Sequence, residues 1–316
     1  MSRLPVILFG LLLGLLPAPP ASARHAPAAA WVPMLWEVHG DGDARLLLLG
    51  STHLLQADDY PLPADVEAAY ARAGRLVFEV DPVQMQSPAL ARAMLAAGRR
   101  DDGRRLQDEL PAAQWQALLD WAGKRGLPAQ ALQGSKAWLV ALNVSLTEMA
   151  AGGLQAELGL DRHLMQRGGS DGRSMLGLED AASQLALFNG LDSGQQQAML
   201  EEALDDASAG GRRWRDLLAA WRSGDAARFW EQAGAPLASR HPALYRALNV
   251  QRNEAWLAQL PQWLADGQGT TLVVVGALHL VGDDGLVARL RAGGHRVEHL
   301  CSVSGCPRRE GWLRRR

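Results

Sequence analysis

The chain has 316 residues, of which 48% are hydrophobic and 21% are charged, and its formal net charge is -2. A chain of this length suits one large α/β domain or two smaller domains. The near balance of 32 basic and 34 acidic residues supplies no general positive field for phosphate groups, which argues against a nucleic-acid partner.

The N-terminus is typical of a cleavable secretory signal. Arg3 precedes an apolar run from Leu4 to Leu16, and a proline-rich stretch leads to Ala21-Ser22-Ala23. The apolar run is shorter than a bilayer requires. We therefore expect residues 1–23 to be removed and residues 24–316 to form one periplasmic or secreted domain with no membrane span. A retained membrane anchor is the alternative.

Strands are predicted near both ends of the mature chain. Trp36 to Val38 and Arg45 to Leu49 predict a β-hairpin, and Arg75 to Val80 predicts a third strand after a helix. Thr270 to Val275 and His295 to Cys301 predict two more strands. The strand–helix–strand spacing favours parallel pairs joined by crossover helices.

The middle of the chain, about 84–268, is predicted to be mostly helical. Long segments rich in Ala, Leu, Gln and Arg have apolar residues at helical spacing, and one short strand, Ser174 to Leu178, interrupts them. The predicted fold is α/β (α+β mixed). It has a central mixed sheet built from N- and C-terminal segments, about 34–82 and 270–302, with a large helical insertion.

A short phrase occurs twice, once near each end of the chain. LLLLGSTHL runs from Leu46 to Leu54, and LVVVGALHL runs from Leu272 to Leu280. Each is an apolar run typical of a strand covered on both faces, followed by a Gly that permits a sharp exit and then by a His. Ligands bind beyond the carboxyl ends of strands in open α/β sheets. We therefore expect His53 and His279 to converge; the alternative is that one or both are ordinary loop or core histidines.

Two glutamates end predicted strands. Glu79 interrupts a strand that otherwise looks buried, and Glu179 follows the short strand from Ser174 to Leu178. Burying a carboxylate is costly unless it is paired or bound to a metal. Two histidines with one or two carboxylates make a reasonable ligand set for a divalent metal, and a spare carboxylate could transfer protons. Structural salt bridges are the alternative for both glutamates.

Two familiar motifs do not fit their surroundings. Gly168 to Gly172 matches G-x-S-x-G, but a predicted helix precedes it and a strand follows, the reverse of a nucleophile elbow. His295 to His299 matches H-x-x-E-H, but it lies in a predicted strand, on which the two histidines would be about 13 Å apart. We expect neither a serine nucleophile nor an inverted zinc motif.

The two cysteines, Cys301 and Cys306, lie close together near the C-terminus. In an exported protein such a pair most often forms a disulfide. We expect this bond in the mature protein. Two free thiols, or two ligands of a metal site, are the alternatives.

Taken together, the motifs resemble the TraB/PrgY/GumN family, to which the eukaryotic Tiki proteins belong. The similar segments are, in order, LLLLGSTHLL, FEVD, GLDRHL at 159–164, LGLED at 176–180, RN at 252–253 and VVVGALHLVGDDGL at 273–286. They span roughly residues 34 to 300, which is nearly all of the mature chain.

The resemblance implies a metal-dependent protease that requires two G-x-x-H motifs and a glutamate. It assigns the metal ligands to His53, His279 and Glu79, with Glu179 as a second candidate for the catalytic acid. For Arg252 it implies that the guanidinium holds a carboxylate or the tetrahedral oxyanion. The implied cofactor is a divalent ion (Zn, Mn or Co), and the implied substrate is a peptide or a protein.

We therefore predict an exported metal-dependent hydrolase, a peptidase whose water is activated by a divalent metal. The alternative is a non-catalytic periplasmic protein that sequesters a peptide or another ligand in a cleft between its Trp-rich helices.

Overall fold

The structure is a computed structural model that describes residues 31–265 and 269–302. The predicted signal segment and Cys306 lie outside the described residues. Export and the disulfide between Cys301 and Cys306 therefore stay predictions.

The described residues form two compact units. The helical unit comprises residues 83–154 and 181–212, and the sheet unit comprises the described residues within 31–82, 155–180 and 213–302. All of the residues that the sequence singled out for chemistry belong to the sheet unit.

The described part of the sheet unit contains a six-stranded mixed sheet. Its strands are β1 (Leu35–His39), β2 (Arg45–Ser51), β3 (Arg75–Val80), β4 (Ser174–Glu179), β5 (Thr270–Gly276) and β6 (Arg296–His299). Their order across the sheet is β4-β3-β5-β2-β1-β6. The strands β4, β3, β5 and β2 run parallel to one another, whereas β1 runs antiparallel to β2 and β6. The predicted mixed sheet from both ends of the chain is confirmed, and β4 extends it at one edge.

The two similar phrases form neighbouring strands. β2 pairs in parallel with β5, from Arg45 opposite Thr270 to Ser51 opposite Gly276. The apolar side chains of both runs are buried, as expected for parallel strands covered on both faces. β3 pairs with the other side of β5, so segments from opposite ends of the chain lie side by side.

Both units contain α-helices. In chain order they are α1 (Ala64–Arg72), α2 (Pro82–Met85), α3 (Pro88–Ala97), α4 (Ala112–Gly123), α5 (Ala137–Ala151), α6 (Leu160–Ser170), α7 (Ala181–Gly190), α8 (Ser193–Ser208), α9 (Arg212–Arg222), α10 (Ala226–Phe229), α11 (Ala235–Arg240), α12 (Pro242–Tyr245), α13 (Gln251–Leu257), α14 (Leu260–Ala265) and α15 (Leu286–Ala292). No helix in the described ranges is long and apolar enough to cross a membrane.

The helical unit has its own core between α4, α5 and α8. Buried apolar residues from these helices pack together, among them Leu118, Val140, Val144, Leu200 and Leu204. The buried Glu148 pairs with Arg125 and accepts a hydrogen bond from Trp121, so its charge is neutralised inside the core.

The structure also places the two discounted motifs as expected. Residues 168–172 cover the end of α6 and the turn before β4, and residues 296–299 form strand β6. Neither segment has the strand–turn–helix or helical geometry that the corresponding catalytic motif requires.

Candidate active site

The carboxyl ends of four adjacent parallel strands bring the candidate residues to one edge of the sheet. Glu179 ends β4, and Glu79 lies near the end of β3. His279 lies in a 3₁₀ turn, Ala277–His279, directly after β5, and His53 follows the end of β2. This edge is where open α/β sheets bind ligands.

Glu79 lies at the centre of this group and is buried, with 8% of its surface exposed. Its Oε1 accepts a hydrogen bond from the Gly276 backbone N–H at 2.6 Å and lies 3.9 Å from His279 Nε2. Its Oε2 accepts from Arg252 at 2.7 Å. Burial opposes ionisation of the carboxyl, but the charge of Arg252 outweighs it, with the charge of His53 and the Gly276 hydrogen bond acting in the same direction. The pKa of Glu79 therefore lies well below its usual range. Glu79 is therefore ionised at neutral pH.

Arg252 connects both glutamates to His279. Its Nε donates to the two oxygens of Glu179 at 3.2 and 3.3 Å, and its Nη2 donates to both Glu179 and Glu79. Its Nη1 lies 3.0 Å from His279 Nε2, and the guanidinium lies over the ring of Trp256. Because both oxygens of Glu179 face Arg252, this glutamate holds the guanidinium in place.

His279 is buried and has a neutral imidazole. Its Nδ1 lies 2.7 Å from Asn253 Oδ1, and the ring packs against Trp256. Burial is the main cause that lowers the pKa of His279 to about 3, with Arg252 and His53 adding to it. At neutral pH the side chain is therefore uncharged, and one ring nitrogen donates a hydrogen bond while the other accepts one.

His53 is the most exposed of the candidate residues, with 59% of its side-chain surface accessible. Its Nδ1 lies 3.2 Å from Oδ2 of Asp161, in the first turn of α6. The charge of Asp161 raises the pKa of His53 to about 9, against the opposing charge of Arg252. The charge of His53 in turn lowers the pKa of Glu79 and of His279. The protonation states of the three side chains therefore depend on one another.

Gly159 allows α6 to approach the loop that carries His53. A Cβ atom on Gly159 would lie 2.2 Å from the carbonyl oxygen of His53. The Leu160 N–H donates to the carbonyl of Thr52 at 3.0 Å. These contacts place Asp161 beside the imidazole.

We expect Gly159→Ala to destabilise the protein by about 1–3 kcal/mol, because backbone atoms must move to admit the new methyl group. The matched control is Gly74→Ala, since the nearest atom to a Cβ at Gly74 is 3.9 Å away. Urea unfolding followed by tryptophan fluorescence measures both effects. Equal midpoints for the two variants would show that the close approach is not required.

Asp161 and Asn253 were not among the residues predicted from the sequence. Both lie inside segments that carry the family resemblance, GLDRHL and RN. The signal available in the sequence was their position inside these segments: Asp161 lies two residues after Gly159, and Asn253 directly follows Arg252. Their partners become visible only when α6 and α13 are placed against the sheet.

Two imidazoles and a carboxylate are donors of a type that divalent metal ions accept. Both histidines engage Nδ1 with a protein partner, as metal-binding histidines usually do. Nε2 of His279 is unprotonated, whereas His53, whose pKa is raised to about 9, would have to lose a proton before its Nε2 could bind an ion. Within the described residues, no three His, Cys, Asp or Glu side chains already lie close enough to hold an ion. Arg252 donates to Nε2 of His279 and to Oε2 of Glu79, so its contact with His279 would have to be given up before an ion could bind that nitrogen.

Comparisons with known proteins agree with the order of the motifs. A model of the TraB/PrgY/gumN family matches residues 34–299, which include all six strands. The chain is 27% identical over 252 residues to the protein YbaP of Escherichia coli K12, described as uncharacterized, and equally to YbaP of Shigella flexneri. Each alignment covers 79% of this chain and 89% of the relative. No solved structure matches the chain.

Proposed function

Because the chain belongs to the TraB/PrgY/gumN family, we propose that it is a metal-dependent hydrolase that cleaves peptide bonds. The observation that carries this proposal is the grouping of His53, Glu79 and His279 at the carboxyl edge of the parallel strands. Two imidazoles and an ionised carboxylate form a usual donor set of catalytic metal sites.

In this proposal His53, His279 and Glu79 would hold the divalent ion. Zinc, manganese and cobalt are the candidate ions. When bound, such an ion polarises a carbonyl group and lowers the pKa of a coordinated water to about 7.

The other groups of the site are suited to charge stabilisation. Glu79 is ionised, and its Oε2 already accepts from Arg252. A carboxylate with so low a pKa is a weak base, so its role in this proposal is to hold the ion and not to carry the proton of the attacking water. Arg252 is held by Glu179, and its Nη1 donates to the oxyanion of the tetrahedral intermediate. Fixed donors of this kind stabilise the transition state without rearrangement.

The proposal includes an exported, periplasmic or secreted location, which rests on the N-terminal signal pattern of residues 1–23. The substrate is then a peptide or protein of that compartment.

The direct test uses the mature chain, freed of metal by dialysis against a chelator. Calorimetric titration with zinc, manganese and cobalt should show one tightly bound ion per chain. The loaded protein should cleave a pool of quenched fluorescent peptides, and chelation should stop the cleavage. Peptide binding that survives chelation without any turnover would support the sequestering alternative and refute the hydrolase.

A further inference from the structure

The two matched histidines have chemically different partners on Nδ1. His279 meets the amide of Asn253 at 2.7 Å, whereas His53 meets the carboxylate of Asp161 at 3.2 Å. The surroundings of Asn253 explain why an amide, and not a carboxylate, stands behind His279.

Asn253 is 1% exposed, and each of its side-chain polar atoms is used. Its Nδ2 donates to the carbonyl of His279 at 3.1 Å and to the carbonyl of Asp284 at 2.9 Å. Carbonyl oxygens are acceptors only. If the amide were turned over, its oxygen would face both carbonyl oxygens, and neither would receive a hydrogen bond. Its Oδ1 must therefore face the His279 ring as an acceptor.

This orientation decides which nitrogen of His279 carries the hydrogen. A neutral imidazole has one N–H, and the hydrogen bond made by one nitrogen determines the state of the other. Because Oδ1 of Asn253 accepts, Nδ1 of His279 donates and Nε2 retains its lone pair. That lone pair faces Arg252 at 3.0 Å and lies 3.9 Å from Glu79.

We infer that Asn253 is a positioning residue: it holds the Nδ1–H side of the His279 ring and so presents Nε2, to which Arg252 donates, to the site. The same amide ties α13 to the segment between His279 and Asp284. The inference deepens the proposed function, since a coordinating nitrogen must be unprotonated, but the tautomer itself is a property of the metal-free protein.

The first test is nuclear magnetic resonance of the metal-free full chain labelled in its histidine rings. Long-range proton–nitrogen correlations distinguish the two neutral tautomers, and the His279 signals are assigned by their loss in His279→Gln. We expect His279 of the wild-type protein to be neutral with the hydrogen on Nδ1. A hydrogen on Nε2 would overturn the inference, whether or not any variant folds.

The second test compares Asn253→Leu with Asn249→Leu. Asn249 is an equally buried asparagine that donates to Tyr245, so its replacement controls for the loss of a buried amide. Arg252 still donates to Nε2 in both variants, so we expect the Nδ1–H tautomer to remain in both. In Asn253→Leu the ring loses the acceptor that holds Nδ1, and we expect the His279 ring signals to broaden or to divide between orientations, whereas in Asn249→Leu they should stay as in wild type. Single, sharp His279 signals at the wild-type positions in folded Asn253→Leu would contradict the inference.

Metal affinity gives a separate measurement. Removing a residue that orients a metal-binding histidine costs about 10–100-fold in affinity, so we expect that loss for manganese in Asn253→Leu and no loss in Asn249→Leu. Equal affinities in the two variants would contradict the positioning role. If the wild-type protein binds no ion and cleaves no peptide, the proposed function fails, while the His279 ring signals in Asn253→Leu still decide the role of Asn253.

Discussion

Replacing His53 or His279 by alanine is expected to lower peptide turnover by about 10³-fold or more while the protein remains folded. Each replacement removes one of the two imidazoles assigned to the metal, and the ion contributes several kcal/mol to the stabilisation of the transition state. A loss of about 4 kcal/mol corresponds to about a thousandfold in rate. The measurement is the steady-state rate on a peptide identified from the fluorescent pool.

His295→Ala is the matched control for these two variants. His295 precedes β6, whose first residue lies opposite the end of β1 and therefore near the amino ends of the parallel strands. It is thus a histidine of the same unit at the opposite edge of the sheet. Turnover within about twofold of wild type is expected for His295→Ala. Undiminished turnover in both His53→Ala and His279→Ala would refute the assignment of the site.

Replacing Arg252 by methionine is expected to destabilise the protein by about 3–5 kcal/mol, because breaking a buried ion pair leaves an uncompensated charge. Glu79 and Glu179 would both lose their cation, and their side chains are only 10% and 14% exposed. The free energy of unfolding in urea measures the effect. Adding Glu179→Gln to the Arg252 variant should restore part of the stability, since one of the two stranded charges is then removed.

Arg105→Met supplies the comparison for a solvent-exposed pair. Arg105 bonds to Asp108, and the two side chains are 61% and 41% exposed, so this replacement should cost no more than about 1 kcal/mol. Similar losses of unfolding free energy in Arg252→Met and Arg105→Met would show that the ion pairs of Arg252 do not behave as buried ones.

Sequence periodicity was sufficient to predict the strands that form the centre of the sheet. The repeated phrase predicted that His53 and His279 follow similar strands, and β2 and β5 are indeed paired in parallel. A carboxylate in an otherwise apolar strand marked Glu79 as a residue that needs a cation. In each case the signal was local, because burial on both faces leaves a continuous apolar run.

The partners of these residues could not be predicted in the same way. Arg252 pairs with Glu79 and Glu179, from which it is separated by 173 and 73 residues, and each glutamate alone was compatible with a salt bridge or with a catalytic role. Asp161 and Asn253 depend on where α6 and α13 lie against the sheet. The position of a helix against the sheet depends on packing over the whole unit. No sequence pattern at a single residue reveals it.

The most direct test of the central claim is a crystal structure of the mature chain grown with zinc, manganese or cobalt in turn. We predict one anomalous difference peak, bound by Nε2 of His53, Nε2 of His279 and a carboxylate oxygen of Glu79, with Arg252 still paired to Glu179. Three well-ordered side chains with none of the three ions between them, at saturating concentrations, would contradict the claim.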